Sequence, residues 1–207
     1  MMPRVKICGI KTRAEAEAAL KAGADFLGFN FYPKSPRYIE PALAGEIVKD
    51  LPTGVAVGLW VNPTRYELLR AAEISGIEII QLQGDETPEF CDLGDHRVIK
   101  AFRLGAPKDL VQIRHFNVWA VLADAKAGLF GGSGHRGDWE LSSRAGAFTE
   151  RLFLAGGLNP DNVGEAVRAV RPWAVDVCSG VERAPGVKDI DKVKKFIAAV
   201  RNEAEKK

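Results

Sequence analysis

Eight short, largely apolar runs alternate with helical patterns along the chain, and the last two of them end in glycine turns. No nucleotide-binding fingerprint follows the first run, and together these observations predict an α/β chain closed as a single-domain (β/α)8 TIM barrel. The runs are Val5–Cys8, Phe26–Phe31, Val55–Val61, Glu78–Gln83, Arg97–Phe102, Val118–Asp124, Leu152–Ala155 and Ala174–Cys178. A doubly wound open sheet needs only about five or six strands and a glycine fingerprint on its first turn, whereas that turn here is Cys8-Gly9-Ile10.

Helix starts punctuate the intervals. Thr12 with Glu15 three residues on has the capping-box pattern, and Asn62-Pro63, Thr87-Pro88 and Asn159-Pro160 each set a capping side chain before a proline. In the last helix Val193, Phe196, Ile197 and Val200 recur at the spacing of one buried stripe. The mixed-sign stretch Arg201–Lys207 reads as its solvated end.

At 207 residues the chain is expected to fold as one domain over 1–207. A formal net charge of +2, from 29 basic and 27 acidic residues, leaves no electrostatic footprint for nucleic acid. No apolar run approaches the ~20 residues that span a bilayer, and residues 1–4 lead into a strand instead of a signal peptide. Cys8, Cys91 and Cys178 stand at unrelated spacings, which suits a reducing compartment, and a cytoplasmic location is expected. His96, His115 and His135 share no ligand spacing with each other or with a cysteine pair, so no metal is expected.

In a parallel barrel, chemistry collects at the carboxyl ends of the strands. Leu152–Glu182 supplies two such ends in succession, with Gly156 and Gly157 after one strand and Ser179 and Gly180 after the next. Glycine lets backbone amides approach an anion closely, so these four residues are the expected phosphate cradle. Cys8 closes the first strand directly before a glycine. Against its being a small buried apolar side chain, that position makes it a candidate base or nucleophile. Asp124 ends the apolar run Val118–Ala123, where a carboxylate is not required by the fold, and burial there would raise its pKa toward that of a general acid. Its alternative is a helix cap or a salt bridge to Lys126.

Arg37, in the loop after the second strand, is either part of a basic surface segment or a planar fork for a substrate carboxylate. Gln83 and Asp176 stand at the ends of strands four and eight and complete the expected substrate contacts. The glycine-rich stretch Lys126–Asp138 contains a chance G-x-G-x-x-G at Gly132, Gly134 and Gly137 and is better read as a lid over the barrel mouth.

Six segments, taken together and in order, resemble phosphoribosylanthranilate isomerase of tryptophan biosynthesis. They are Lys6-Ile7-Cys8-Gly9-Ile10, Gly28 through Arg37, Gln81-Leu82-Gln83-Gly84-Asp85-Glu86, Gly131-Gly132-Ser133-Gly134, Leu154 through Pro160, and Val175 through Glu182. The resemblance implies a (β/α)8 barrel without cofactor that converts N-(5-phosphoribosyl)anthranilate to 1-(2-carboxyphenylamino)-1-deoxyribulose 5-phosphate by an Amadori rearrangement. It further implies Cys8 as general base, Asp124 as general acid and Arg37 as partner of the anthranilate carboxylate. Gln83 stands where the family commonly has histidine, and Cys178 where it commonly has serine. The implied partner is a small phosphorylated substrate, with no nucleic acid and no membrane, and the expected assembly is a monomer or homodimer. Rival readings are a phosphopentose epimerase, which clustered histidines would have favoured, a thiamin-phosphate synthase, which paired acidic residues would have favoured, and a non-catalytic barrel that binds a phosphorylated metabolite.

Overall fold

A computed structural model describes residues 2–125 and 136–205. Eight parallel strands close in chain order: β1 (Arg4–Cys8), β2 (Phe26–Asn30), β3 (Ala56–Trp60), β4 (Ile79–Leu82), β5 (Arg97–Leu104), β6 (Ala120–Ala125), β7 (Leu152–Ala155) and β8 (Ala174–Val177). The ring shuts where β1 pairs with β8 in the register Lys6↔Asp176 and Ile7↔Val177. The predicted strands therefore all form, with ends shifted by one or two residues.

Alternation along each strand sorts side chains into two cores. Val5, Ile7, Leu27, Ile80, Val175 and Val177 face outward into the layer shared with the helices. Phe26, Val57, Ile79, Ile99, Leu122 and Phe153 fill the barrel interior. At its amino end, Phe26, Trp119, Phe153 and Trp173 pack ring to ring, with Phe153 and Trp173 centroids 5.3 Å apart. The Arg4 guanidinium lies 4.6 Å above the Trp173 ring. This plug stabilises the closed end and leaves chemistry to the other.

The described residues hold seven α-helices: α1 (Arg13–Lys21), α2 (Pro41–Val48), α3 (Arg65–Ser75), α4 (Pro107–Ile113), α5 (Arg136–Ala145), α6 (Val163–Val170) and α7 (Ile190–Glu205). The α7 stripe of Val193, Phe196, Ile197 and Val200 is buried, as its spacing predicts. Thr12 Oγ1 accepts from the Glu15 amide, but Glu15 reaches the amides of Lys11 and Lys188 instead of closing a box.

Three predicted helix starts are corrected. Asn62 adopts φ +48 and its side chain accepts from the Asp85 amide, 2.7 Å away, so α3 is capped by Thr64 with a complete box from Glu67. Asn159 Oδ1 accepts from the amides of Asp161 and Asn162, forming an Asx turn that delays α6 to Val163. After Thr87-Pro88 there are only turns, and no helix separates β4 from β5. The buried Glu86 carboxylate explains the last case: it accepts from Lys100 Nζ at 2.9 Å and from the amides of Asn62 and Gly84, pinning the segment through side-chain bonds instead of a helical ladder.

A feature outside the expected alternation is the short antiparallel pair β9 (Glu182–Ala184) and β10 (Val187–Lys188) between β8 and α7. Its turn contains Pro185 and Gly186, with Gly186 at φ +79. The predicted lid over Lys126–Asp138 lies outside the described residues but for the backbone of α5's first turn. No helix among the described residues is long and apolar enough to cross a membrane.

Candidate active site

At the carboxyl ends of the strands the barrel opens into a cavity of about 280 Å³ whose lining includes Cys8, Arg37, Gln83, Asp124, Gly156, Gly157, Asp176 and Ser179. Eight of the nine residues singled out from sequence thus share one chamber. Larger recesses of about 530 and 480 Å³ lie outside it, one edged by α2 and α3 and one beside α4. Neither brings a thiol and a carboxyl group together, so chemistry rather than size picks out the barrel mouth.

Gly180 is the residue that does not line the chamber. A Cβ there would overlap the Leu158 carbonyl oxygen, so this glycine lets the loop after β8 lie directly against the loop after β7. Gly156 and Gly157, at φ +92 and +63, give the β7 loop a left-handed course that other residues rarely adopt. Gly180→Val is expected to push the two loops apart, costing ~1–3 kcal/mol as an overpacked contact. It would be read as a melting temperature lower by several degrees, together with weaker binding of inorganic phosphate.

Strand parity places the polar side chains. Lys6 and Cys8 on β1, Gln81 on β4, Asp124 on β6 and Asp176 on β8 point inward with the barrel-filling residues, and the topmost of them meet at the mouth. The Arg37 loop is shaped from beneath: Asn30 Nδ2 donates to Ser35 Oγ, which accepts from the Arg37 amide at 3.1 Å. The Arg37 guanidinium grips Glu182 at two points, Nε to Oε1 at 2.9 Å and Nη2 to Oε2 at 2.7 Å. That fork is therefore already engaged by protein, leaving Nη1 toward any further acceptor. Gln83 bridges its neighbours, accepting from Gln81 Nε2 at 2.8 Å and donating to Asp124 Oδ2 at 3.3 Å. Gln81 Oε1 is buried without a partner among the described residues.

Sequence reasoning missed Lys6, Gln81, Glu182 and Lys188. Lys6 is fully buried, its Nζ 2.9 Å from Asp176 Oδ1. Lys188, delivered by β10, is buried 2.9 Å from Glu182 Oε1 and donates to the Cys178 carbonyl at 3.2 Å. The parity of Lys6 with Cys8 was a legible signal. The Pro185-Gly186 turn carries no more than a loop signal for the hairpin that holds Glu182 and Lys188.

These charges polarise the cavity groups in opposite directions. A hydrogen bond from Cys178 lowers the Cys8 thiol from 9.0 to about 6; burial and Asp176 oppose that change, while Lys6 and Lys188 reinforce it. The partner thiol Cys178 is pushed up by the same hydrogen bond and by burial. Glu182 Oε1 and Lys188 Nζ each lie 3.8 Å from Cys178 Sγ, so two opposite charges flank that thiol. Burial, then the neighbouring Asp176, raises the Asp124 carboxyl, with Arg103 partly offsetting them. Burial alone would lift Glu182, but Arg37 and Lys188 hold it below its ordinary value. The arrangement offers an anion able to take a proton and, across the cavity, an acid inclined to keep one. No group of three or more His, Cys, Asp or Glu side chains that would hold a metal occurs among the described residues.

Residues 5–199 match the family model for N-(5'-phosphoribosyl)anthranilate isomerase. A relative of that name from Geobacter metallireducens is 49% identical over 199 residues, covering 95% of this chain and 98% of its own. The solved phosphoribosyl anthranilate isomerase of Thermotoga maritima superposes with a TM-score of 0.90 at 41% identity over 97% of this chain and 100% of its own. Another solved isomerase, in complex with reduced 1-(o-carboxyphenylamino)-1-deoxyribulose 5-phosphate, gives 0.87 at 39% identity over the same shares. With an eight-stranded barrel, a mouth lined by a low-pKa thiol and a proton-retaining carboxyl, and likeness running from end to end, the chain belongs to the N-(5'-phosphoribosyl)anthranilate isomerase family.

Proposed function

We propose that this chain converts N-(5-phosphoribosyl)anthranilate to 1-(2-carboxyphenylamino)-1-deoxyribulose 5-phosphate in tryptophan biosynthesis, with Asp124 as general acid and Cys8 as general base. The observation that carries the residue assignment is a single cavity holding a thiol biased toward its anion and a carboxyl biased toward its acid. Amadori chemistry needs that pair. Asp124 delivers a proton to the furanose ring oxygen as the C1′–O bond breaks and the aniline nitrogen forms an iminium. The Cys8 thiolate then removes the C2′ proton, and the resulting enolamine tautomerises to the ketone. Acid and base of this kind each contribute ~10²–10⁴ in rate, and fixing the substrate at both ends contributes further.

The phosphate end falls to the loops carrying Gly156, Gly157, Ser179 and Gly180, whose backbone can approach an anion closely. The anthranilate carboxylate falls to Arg37 through Nη1, held in place by its two bonds to Glu182. Gln83 sets the orientation of Asp124 through its amide, and Asp176, held by Lys6, presents its other oxygen to the ribose. The chain works without cofactor, on a small phosphorylated substrate, as a cytoplasmic monomer or homodimer.

Purified protein given N-(5-phosphoribosyl)anthranilate should consume its anthranilate-type fluorescence with first-order decay, and unchanged fluorescence from folded protein would refute the activity. Arg37→Ala is expected to raise KM by roughly 10–100-fold, the loss of one charge-assisted hydrogen bond worth ~1.5–3 kcal/mol, with a smaller change in kcat. Steady-state kinetics separates the two.

A further inference from the structure

Lys6 is among the largest fully buried side chains of the described residues, and it is an ammonium. Inside a barrel, an apolar side chain of similar size stabilises the fold as well as a buried ion pair does or better, so stability alone does not account for it. Its position does suggest a use. Lys6 sits one inward-facing step below Cys8 on β1, in register with Asp176 on β8. It lies under the floor of the cavity that Cys8 and Asp176 line.

Beside it on β2 is Gly28, register partner of Cys8. A Cβ on Gly28 would come within 2.8 Å of Cys8 Sγ and 3.1 Å of Lys6 Nζ, so both atoms converge on the space that the missing side chain vacates. An ammonium has three donors. One goes to Asp176 Oδ1, and the Cys8 sulfur lies across the same small space from the head group.

We propose that Lys6 is a positioning residue for the isomerisation, a permanently buried cation beneath the active site that keeps Cys8 in its anionic, proton-accepting form. Four other groups face the thiol: Asp176 and Cys178 at β8 and its end, Lys188 on β10 and Arg37 in the loop after β2, while Glu182, at the start of β9, stands against Cys178. Lys188 acts on the thiol in the same direction as Lys6 but less strongly, its charge and that of Arg37 facing the one Glu182 carboxylate, and Cys178 supplies a neutral hydrogen bond. Lys6 divides its charge between the Asp176 carboxylate, 2.9 Å away, and Cys8. Burial agrees with this division: it works against the Lys6 ammonium, yet Asp176 and Cys8 together hold it above its ordinary pKa. Asp176 thereby has two attachments, fixing the ammonium below and facing the cavity above.

The proposal rests on the reading of Cys8 as the base, and its test reads the thiol itself rather than turnover. Iodoacetamide alkylation of the Cys8 peptide, followed by mass spectrometry across a pH series, should show a midpoint for Lys6→Met at least about one pH unit above wild type, a tenfold smaller thiolate fraction on the acidic side. Turnover should fall in parallel at least tenfold with KM changed by only a few-fold. Should Lys6→Met leave Asp176 unpaired and fail to fold, Lys6→Met/Asp176→Asn compared with Asp176→Asn measures the same quantity with no stranded carboxylate, and the double variant should show the higher midpoint. A midpoint that does not move on loss of Lys6 in either background overturns the proposal, whatever the activity. A Cys8→Ser variant that keeps full turnover would instead remove the reading beneath it.

Discussion

Replacing Asp124 with asparagine is expected to lower kcat by ~10²–10⁴ while KM stays within a few-fold of wild type. The size follows from what the amide lacks. Asparagine fits the same space and still meets the Gln83 amide, which donates to Asp124 Oδ2 at 3.3 Å, so the cavity keeps its shape. It has no dissociable proton to give the ring oxygen as the furanose opens. The direction also follows from the local electrostatics: burial and Asp176 favour the protonated carboxyl, and Arg103, its register partner on β5, only partly opposes them. Asp124→Glu retains a proton but moves it by a methylene, and should recover part of the loss. Wild-type turnover in the asparagine variant would remove Asp124 from the mechanism.

The barrel was legible because burial on both faces leaves its strands as short apolar runs, and β7, Leu152–Ala155, is found where the pattern puts it. The candidate site was legible for the related reason that a polar residue closing such a run, as Asp124 closes Val118–Ala123, is not required by the fold. Lys6 was not found that way. Its parity with Cys8 points inward, but a lysine inside a strand is ordinarily read as solvent-facing, and only closure of β1 onto β8 brings Asp176 across to neutralise it. The Glu182–Lys188 pair was hidden for a different reason: β9 and β10 have three and two residues, too short for any periodicity, and their Pro185-Gly186 turn resembles any loop. The segment after β4 misled because its helix-start signal, Thr87-Pro88, is real as a turn, with the Phe90 amide 3.3 Å from Thr87 Oγ1. Nothing in local propensity reveals that Glu86 spends its carboxylate on Lys100 and two amides and so fixes that chain in turns. Bonds between distant residues decided the cases of Lys6 and of the segment after β4.

Cys8→Ser and Cys178→Ser should differ by orders of magnitude although the two residues end adjacent strands and share a proton. Serine at position 8 presents a hydroxyl far too weakly acidic to ionise near neutrality, so the C2′ proton loses its acceptor and kcat should fall by ~10²–10⁴. At position 178 the group acts as donor. A serine hydroxyl there can still hydrogen-bond to the Cys8 sulfur, and Glu182 and the Lys188 ammonium remain beside it. Turnover of Cys178→Ser should therefore stay within a few-fold of wild type, with the Cys8 alkylation midpoint changed by less than the loss of Lys6 changes it. The asymmetry has a physical origin in the partners of each sulfur. Cys8 sits above the Lys6 ammonium, whereas Cys178 has the Glu182 carboxylate and the Lys188 ammonium each 3.8 Å away, their charges opposed, so the proton between the thiols rests on Cys178 and the negative charge on Cys8. The reverse pattern, a crippled Cys178→Ser and an active Cys8→Ser, would put the anion on the wrong sulfur and pass the role of base to Cys178.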